Sequence, residues 1–321
     1  MFILRTTRVL FALLLVVLNF SFSSLAAAQE ATPVAALAGG DSLLAGLGYP
    51  EIRVTTDGTT NDFPTELEAG RYHVVLENQG DMDVDLEFAQ LPEGMTFEEV
   101  DTAFDEAEAA APPFVPPAFF FDMVWNGGVS TFGGETKGVV LDLTPGEWTV
   151  LLRGYSPDAE GVDADEGTDV PVTVTVTGEM SEVEDPTGHV EIGLIDMDFV
   201  VPDSFAAGPQ VWHVTNNGLQ VHHLVLSRVP AGTTEDQVVE LVSSFFAPPA
   251  SPEAAATPVI ESGLAFDDVE DVFFTPPLSR DRFNLYEIDL EPGTYAMVCY
   301  MPDPSGTAHV MRGMVKIVTV T

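Results

Sequence analysis

Cysteine is almost absent from this chain: 321 residues contain one, Cys299. No disulfide can close within a single molecule, which excludes the small, disulfide-stapled fold class. Basic residues are also scarce. Eleven Lys and Arg face 51 Asp and Glu, a formal charge of −40, and that balance excludes nucleic acid and anionic membrane surfaces as partners. The acids are scattered, as in Asp81, Asp83, Asp85 and Glu87, rather than gathered in one tail. Such a pattern suits a solvated surface, and any protein that docks on it should present a basic one. Long apolar runs are missing as well. The run from Val9 to Phe22 is short for a bilayer span and is interrupted by Asn19.

What is there points to a folded, exported protein. Hydrophobic residues make up 45% and aromatics 9%, enough apolar surface to offset the ordering entropy of a packed core. The length favours two domains. Arg5 and Arg8 precede the apolar run, and Ala26-Ala27-Ala28 follows it as a small-residue cleavage site. Residues 1–28 therefore read as a signal peptide, with no membrane insertion after its removal and a periplasmic or extracellular destination. In that setting an unpaired thiol calls for a reason: a small buried hydrophobe, an intermolecular bridge, or a protected thiolate ligand.

After a leader at 29–48 the chain repeats itself. An offset of 138 residues lays Ile52–Val100 on Val190–Val238 without a gap, matching Gly70 with Gly208, Asn78 with Asn216, Gly80 with Gly218 and Leu86 with Leu224. An offset of 147 aligns Asp142-Leu143-Thr144-Pro145-Gly146 with Asp289-Leu290-Glu291-Pro292-Gly293, the difference falling in an Ala- and Pro-rich insertion near Ala247–Pro258. Each half alternates with period two, as in Val172–Thr177 and Val315–Val320. The expected fold is all-β: two tandem β-sandwich domains at 49–178 and 189–321, joined by an acidic linker at 179–188. One short helix is expected per half, after Thr96 and after Thr234, where acids fill the first turn. The remainder of each insertion, Pro112–Gly134 and Pro248–Pro277, reads as irregular loop.

The first half shows what each position holds when no ligand is required. Val84, Leu86 and Phe88 alternate with Asp83, Asp85 and Glu87, placing the former in the core and the latter in water. In the second half the inward set becomes His222, Leu224 and Leu226, with His223 outward as a polar surface residue or a solvent-side electron port. Trp148, Val150 and Leu152 align with Tyr295, Met297 and Cys299. A lone histidine on an apolar face is usually a satisfied core residue. Here a cysteine replaces leucine on the matching stripe, and the following loop adds His309 and Met314 where the first-half loop, Arg153–Val170, has neither residue type. Two imidazoles, a thiolate and a thioether form the soft donor set that suits copper in electron-transfer sites. Zinc could take the same atoms, though a thioether adds little for it. Met311 competes with Met314 as the thioether donor, and a nucleophilic Cys299 beside a histidine is the competing catalytic reading.

The segment Asn216-Asn217-Gly218-Leu219-Gln220-Val221-His222 resembles the first-ligand strand of blue copper proteins. Gly293–Cys299 followed by His309-Val310-Met311-Arg312-Gly313-Met314 is similar to the C-terminal ligand loop of cupredoxins, and its length is closer to the type 1 site of copper nitrite reductases than to the short plastocyanin loop. The resemblance covers the second half well and the first half as fold only. It implies a Greek-key cupredoxin sandwich with one type 1 copper held by His222, Cys299, His309 and Met314. It also exposes departures. Nitrite reductases and multicopper oxidases place a histidine beside the cysteine, whereas Cys299 is flanked by Val298 and Tyr300. The six histidines, His73, His189, His213, His222, His223 and His309, contain no His-x-His pair and are too few for a trinuclear cluster. His73, His189 and His213 read as structural. The expectation is a one-electron carrier with a redox partner protein, not an enzyme. The alternatives are a metal-free binding or structural module and a copper store using Met297, Met301 and Met311 as extra donors.

Overall fold

A computed structural model describes residues 42–110, 114–156, 167–181, 186–246 and 263–321. The expected signal peptide, most of the leader, part of the linker and the insertion near Ala247–Pro258 lie outside the described residues. No helix among the described residues is long and apolar enough to cross a membrane.

The described residues are mainly β-strand, with two short α-helices among them. The first half contains β1 (Glu51–Thr56), β2 (Glu66–Glu68), β3 (Gly70–Asn78), β4 (Asp83–Gln90), α1 (Phe97–Glu108), β5 (Val124–Thr131), β6 (Thr136–Leu143), β7 (Gly146–Tyr155) and β8 (Thr168–Thr177). The second contains β9 (Val190–Ile195), β10 (Asp198–Val200), β11 (Gly208–Asn216), β12 (Val225–Val229), α2 (Glu235–Phe246), β13 (Glu270–Phe274), β14 (Phe283–Leu290), β15 (Gly293–Val298) and β16 (Val315–Val320). Both helices start where the threonines predict. Thr96 accepts from Glu99 N while Glu99 reaches back to Thr96 N, and Thr234 and Gln237 make the same reciprocal pair.

The repeat is a repeat of strands. β3 and β11 begin and end 138 residues apart, and β1 and β9 pair in parallel with them in the same register, Thr56 with Asn78 and Leu194 with Asn216. The two halves meet edge to edge. β6 and β14 pair antiparallel through Val139–Tyr286 and Val140–Leu285, fusing both halves into one seven-stranded sheet ordered β1-β3-β6-β14-β11-β9-β10. The edges that each half would otherwise expose are thereby closed against each other. A five-stranded sheet, β2-β8-β7-β4-β5, packs on the first part of this sheet, and a four-stranded sheet, β13-β12-β15-β16, packs on the second. Their inner faces share one apolar core, which runs from Val54 and Trp148 to Trp212, Met297 and Cys299.

Two expectations are corrected. The supposed loops contain strands: β5 in the first half and β13 in the second, each pairing with the strand before it. The Gly127-Gly128 pair serves a bulge on β5, where Gly128 has φ +149° and the β4–β5 register slips between Glu87 and Ala89. At Gly127, a Cβ would lie 1.7 Å from Asn284 Oδ1. The second correction concerns Asp85 and Glu87, which do not face water: they are 5% and 3% exposed. β13 lies over their side of the sheet, where Phe273, Phe274 and Asp271 close a cavity of about 70 Å3 against Asp85 and Tyr155. Arg153, paired with Asp169 at 3.0 Å, is buried beside them.

Burial pushes the Glu87 carboxyl up from 4.5 to about 7, against the pull of Arg153. The folded state therefore binds more protons than the unfolded chain across that window, and this group lowers stability as pH rises through it. Glu87→Gln imitates the protonated carboxyl. It should leave the unfolding free energy near wild type at pH 5 and raise it at pH 8, by on the order of 1–3 kcal/mol; equal effects at both pH values in urea titrations would contradict the assignment.

Candidate metal centre

Asn216 ends β11 and folds the chain back on itself. Its side-chain oxygen accepts from Gly218 N at 2.8 Å, and its amide donates to Gln220 O at 2.8 Å and Leu278 O at 2.7 Å. Asn78 makes the equivalent turn in the first half, with Gly80 N and Met82 O. The asparagine is thus a structural device that both halves keep. In the second half it delivers His222 into the core, where the His222 backbone pairs with Leu278 in both directions, at 3.1 and 2.8 Å.

β15 delivers Cys299 from the opposite side. Beyond it the chain forms a tight loop around Asp303, whose carboxylate accepts from Ser305 N, Ser305 Oγ, Thr307 N and the Arg312 guanidinium at 2.5–3.1 Å. Partial burial pushes the Asp303 carboxyl up, but these bonds outweigh it and hold the group at about 2. This clamp presents His309 and Met314 to the interior. Its residues were not singled out from sequence, although an Asp-x-Ser-x-Thr stretch between two ligand candidates carries the signal of an Asx turn.

Three donor atoms meet. Cys299 Sγ lies 3.8 Å from His222 Nδ1 and 3.5 Å from His309 Nδ1, and the two Nδ1 atoms are 3.1 Å apart. All three residues are fully buried. Among the described residues, this is the one grouping of His, Cys, Asp or Glu close enough to hold an ion. The far side of each ring is also held. His222 Nε2 bonds Asp196 Oδ1 at 3.1 Å, and His309 Nε2 bonds Gln220 Oε1 at 3.2 Å. A carboxylate and an amide oxygen only accept hydrogen bonds, so each Nε2 carries the proton. Both Nδ1 lone pairs then face one another and the sulfur, an arrangement that a cation satisfies.

The donor set fits a first-row metal. Bond lengths of about 2.0–2.1 Å to imidazole and about 2.3 Å to thiolate place such donors about 3.3–3.8 Å apart around one ion; the two sulfur–nitrogen edges lie within that range and the nitrogen–nitrogen edge just below it. The electrostatics agree with neutral imidazoles whose Nδ1 atoms carry no proton. Burial, reinforced by neighbouring His222, holds His309 down at about 3, and burial lowers His222 against the pull of Asp196. Burial pushes the Cys299 thiol up to about 12, so it keeps its proton until a cation replaces it.

The methionines separate. Met314 is fully buried in the cluster that contains Cys299. Met311 is half-buried and its sulfur accepts from Ser243 Oγ of α2 at 3.2 Å. His223 is not on the surface: it is fully buried, its Nε2 accepts from Tyr300 N at 2.8 Å, and its backbone N–H donates to Cys299 Sγ at 3.5 Å. β13 explains this, because Phe274 stands edge-on to the ring with centroids 5.4 Å apart. His73 is buried in β3, His189 Nδ1 accepts from Val211 N at 3.1 Å, and His213 pairs with Glu191 at 2.6 Å.

The first half also reaches the ligand loop. The carbonyl of Phe114 packs against Gly306, which has φ +81°, and a Cβ there would lie 1.8 Å from that oxygen. Gly306→Ala should destabilise the protein by more than 1 kcal/mol, from left-handed strain and collision together, and should weaken metal uptake; an unchanged melting temperature would contradict this packing. Because Cys299 is fully buried, the metal-free protein should react with a bulky disulfide reagent only on denaturant addition, as followed by thiolate release.

No protein-family model matches the chain, and no curated protein matches it. Solved structures do. The chain is similar to a reduced auracyanin from the photosynthetic bacterium Roseiflexus castenholzii, at 20% identity over 41% of this chain and 94% of that one, with a TM-score of 0.26. Auracyanin A, a blue copper protein from Chloroflexus aurantiacus, matches at 18% identity over 41% and 96%, TM-score 0.26. A copper nitrite reductase from Nitrosomonas europaea matches at 12% identity over 84% and 94%, TM-score 0.22. Blue copper proteins are thus among the structural neighbours of this chain, which holds a buried His-Cys-His group of its own.

Proposed function

We propose that the second half binds one copper ion through His222 Nδ1, Cys299 Sγ and His309 Nδ1, with the Met314 thioether as a weak axial donor, and that the protein carries single electrons outside the cytoplasm. The observation that carries this reading is the pair of Nδ1 lone pairs 3.1 Å apart, both facing one sulfur in a closed core. Copper binds such nitrogen and sulfur donors more tightly than zinc, and a thioether favours it further. Bound there, copper supplies a reversible one-electron couple. The chain's own residues keep both imidazoles neutral, exclude water, and hold the thiol where its proton leaves as the metal enters.

A carrier needs little movement between redox states, and the Asp303 clamp together with the Asn216 turn supports that role by fixing both ligand segments through backbone bonds. A store is less favoured by the same geometry. Met297 and Met301 are fully buried in the apolar core and Met311 is engaged by Ser243, so the extra sulfurs do not form an open set of donors. The strongly acidic composition favours a redox partner with a basic docking face, and the Arg5–Ala28 segment supports export.

Anaerobic Cu(II) titration of the metal-free protein should give an intense visible thiolate-to-copper band that saturates at one equivalent, with close to one proton released from Cys299 per copper bound. Cys299→Ser should abolish the band. Saturation without visible colour, or colour that survives the serine variant, would overturn the proposal.

A further inference from the structure

The turn between β9 and β10 carries Asp196, held beside Met197, which has φ +64°. One carboxylate oxygen, Oδ1, accepts three hydrogen bonds: from His222 Nε2 at 3.1 Å, Leu219 N at 2.8 Å and Gln220 N at 3.1 Å. Gly218 makes the approach feasible, since a Cβ there would lie 2.5 Å from that oxygen and 2.7 Å from His222 Nε2. Three N–H donors converge on that single oxygen, the pattern a carboxylate accepts.

The internal repeat supplies a control. The parallel registers of β1 with β3 and β9 with β11 make Gly58 the counterpart of Asp196, as Val84 is of His222 and Met82 of Gln220. The half with Val84 in place of His222 also lacks the carboxylate, while the turn, its asparagine and its glycine are present in both. Asp196 is therefore not required to build the turn. It occurs together with the imidazole that it touches.

We propose that Asp196 is a positioning residue for the copper site, locking the His222 ring with Nδ1 turned inward and passing negative charge through the imidazole so that Cu(II) is favoured over Cu(I). The inference rests on the copper reading above. A carboxylate on the distal nitrogen raises the basicity of a ligating imidazole and fixes its tautomer. The extra negative charge stabilises the doubly charged ion more than the singly charged one, which lowers the reduction potential. Gln220 performs the orienting task for His309 with a neutral oxygen, so the two imidazoles are held alike by partners of different charge.

The test uses the full copper-loaded chain and compares midpoint potentials of wild type, Asp196→Asn and Asp198→Asn. The first substitution keeps an oxygen that accepts from both backbone N–H groups and from the ring, and removes only the charge. The second removes the same formal charge two residues away, where Asp198 meets Lys316 at 3.2 Å instead of the site. Asp196→Asn should lose Cu(II) affinity about 10- to 100-fold with Cu(I) affinity largely retained, and each tenfold difference raises a one-electron potential by about 59 mV. Asp198→Asn should leave the potential in place. An unchanged potential in a still-coloured Asp196→Asn protein overturns this inference alone, as does an equal shift in both variants. A wild type without the thiolate band overturns the copper reading and this one with it. Nitrogen-15 spectra of the Cu(I) protein give an independent readout: the His222 Nε2 proton should be slow to exchange in wild type and exposed in Asp196→Ala, and no difference between them overturns the proposal.

Discussion

Everything distinctive in this molecule depends on two neutral imidazole lone pairs and one thiol sulfur being forced together in a dry interior. Left alone the arrangement is unfavourable, because lone pairs at 3.1 Å repel and the one thiol proton beside them can serve only one of the two nitrogens. It persists because the surroundings over-determine it. Asp196 and Gln220 pin the outer edges of the rings, the Asn216 turn and the Asp303 clamp fix the two backbone segments, and His223 N–H points at the sulfur. Strain held in place by so many independent bonds is the mark of a site built for an ion.

The first half bears on this site although it brings no donor to it. Its β5 runs beside the segment that buttresses His222: Trp125 N donates to Ser279 Oγ at 2.9 Å, Ser279 N to Trp125 O at 2.8 Å and Gly127 N to Pro277 O at 2.8 Å. Leu278 bridges Asn126 on one side and His222 on the other. Phe114 packs on the ligand loop at Gly306. With β6 and β14 joined in one sheet, the half without ligands acts as a second wall for the half that carries them. Its core positions hold plain Val84 and Leu152 where the second half holds His222 and Cys299.

Much of this was legible in the chain. The offset of 138 residues locates equivalent strands, and the replacement of Val84 by His222 and of Leu152 by Cys299 marks two inward side chains in the chain itself. Alternation failed at Asp85, Glu87 and His223, because it distinguishes the two faces of a strand but cannot say whether the second face is wet. That depended on β13 and β5, whose strands were masked by Gly127-Gly128 and by a proline-rich approach. Asp196 was invisible for a different reason: its role is set by a parallel strand register that brings a turn 26 residues upstream onto the ring, and sequence spacing carries no trace of that contact. The edge-to-edge sheet was likewise unreadable, since β6 and β14 pair through only two residue positions.

The central claim is that the protein holds the ligand triangle ready before the metal arrives. Crystal structures of the metal-free and copper-loaded protein test it most directly. The account predicts one copper between His222 Nδ1, Cys299 Sγ and His309 Nδ1, with both rings and their Asp196 and Gln220 contacts superimposing in the two states. A metal-free form with either imidazole rotated away, or copper bound by other residues, would contradict it.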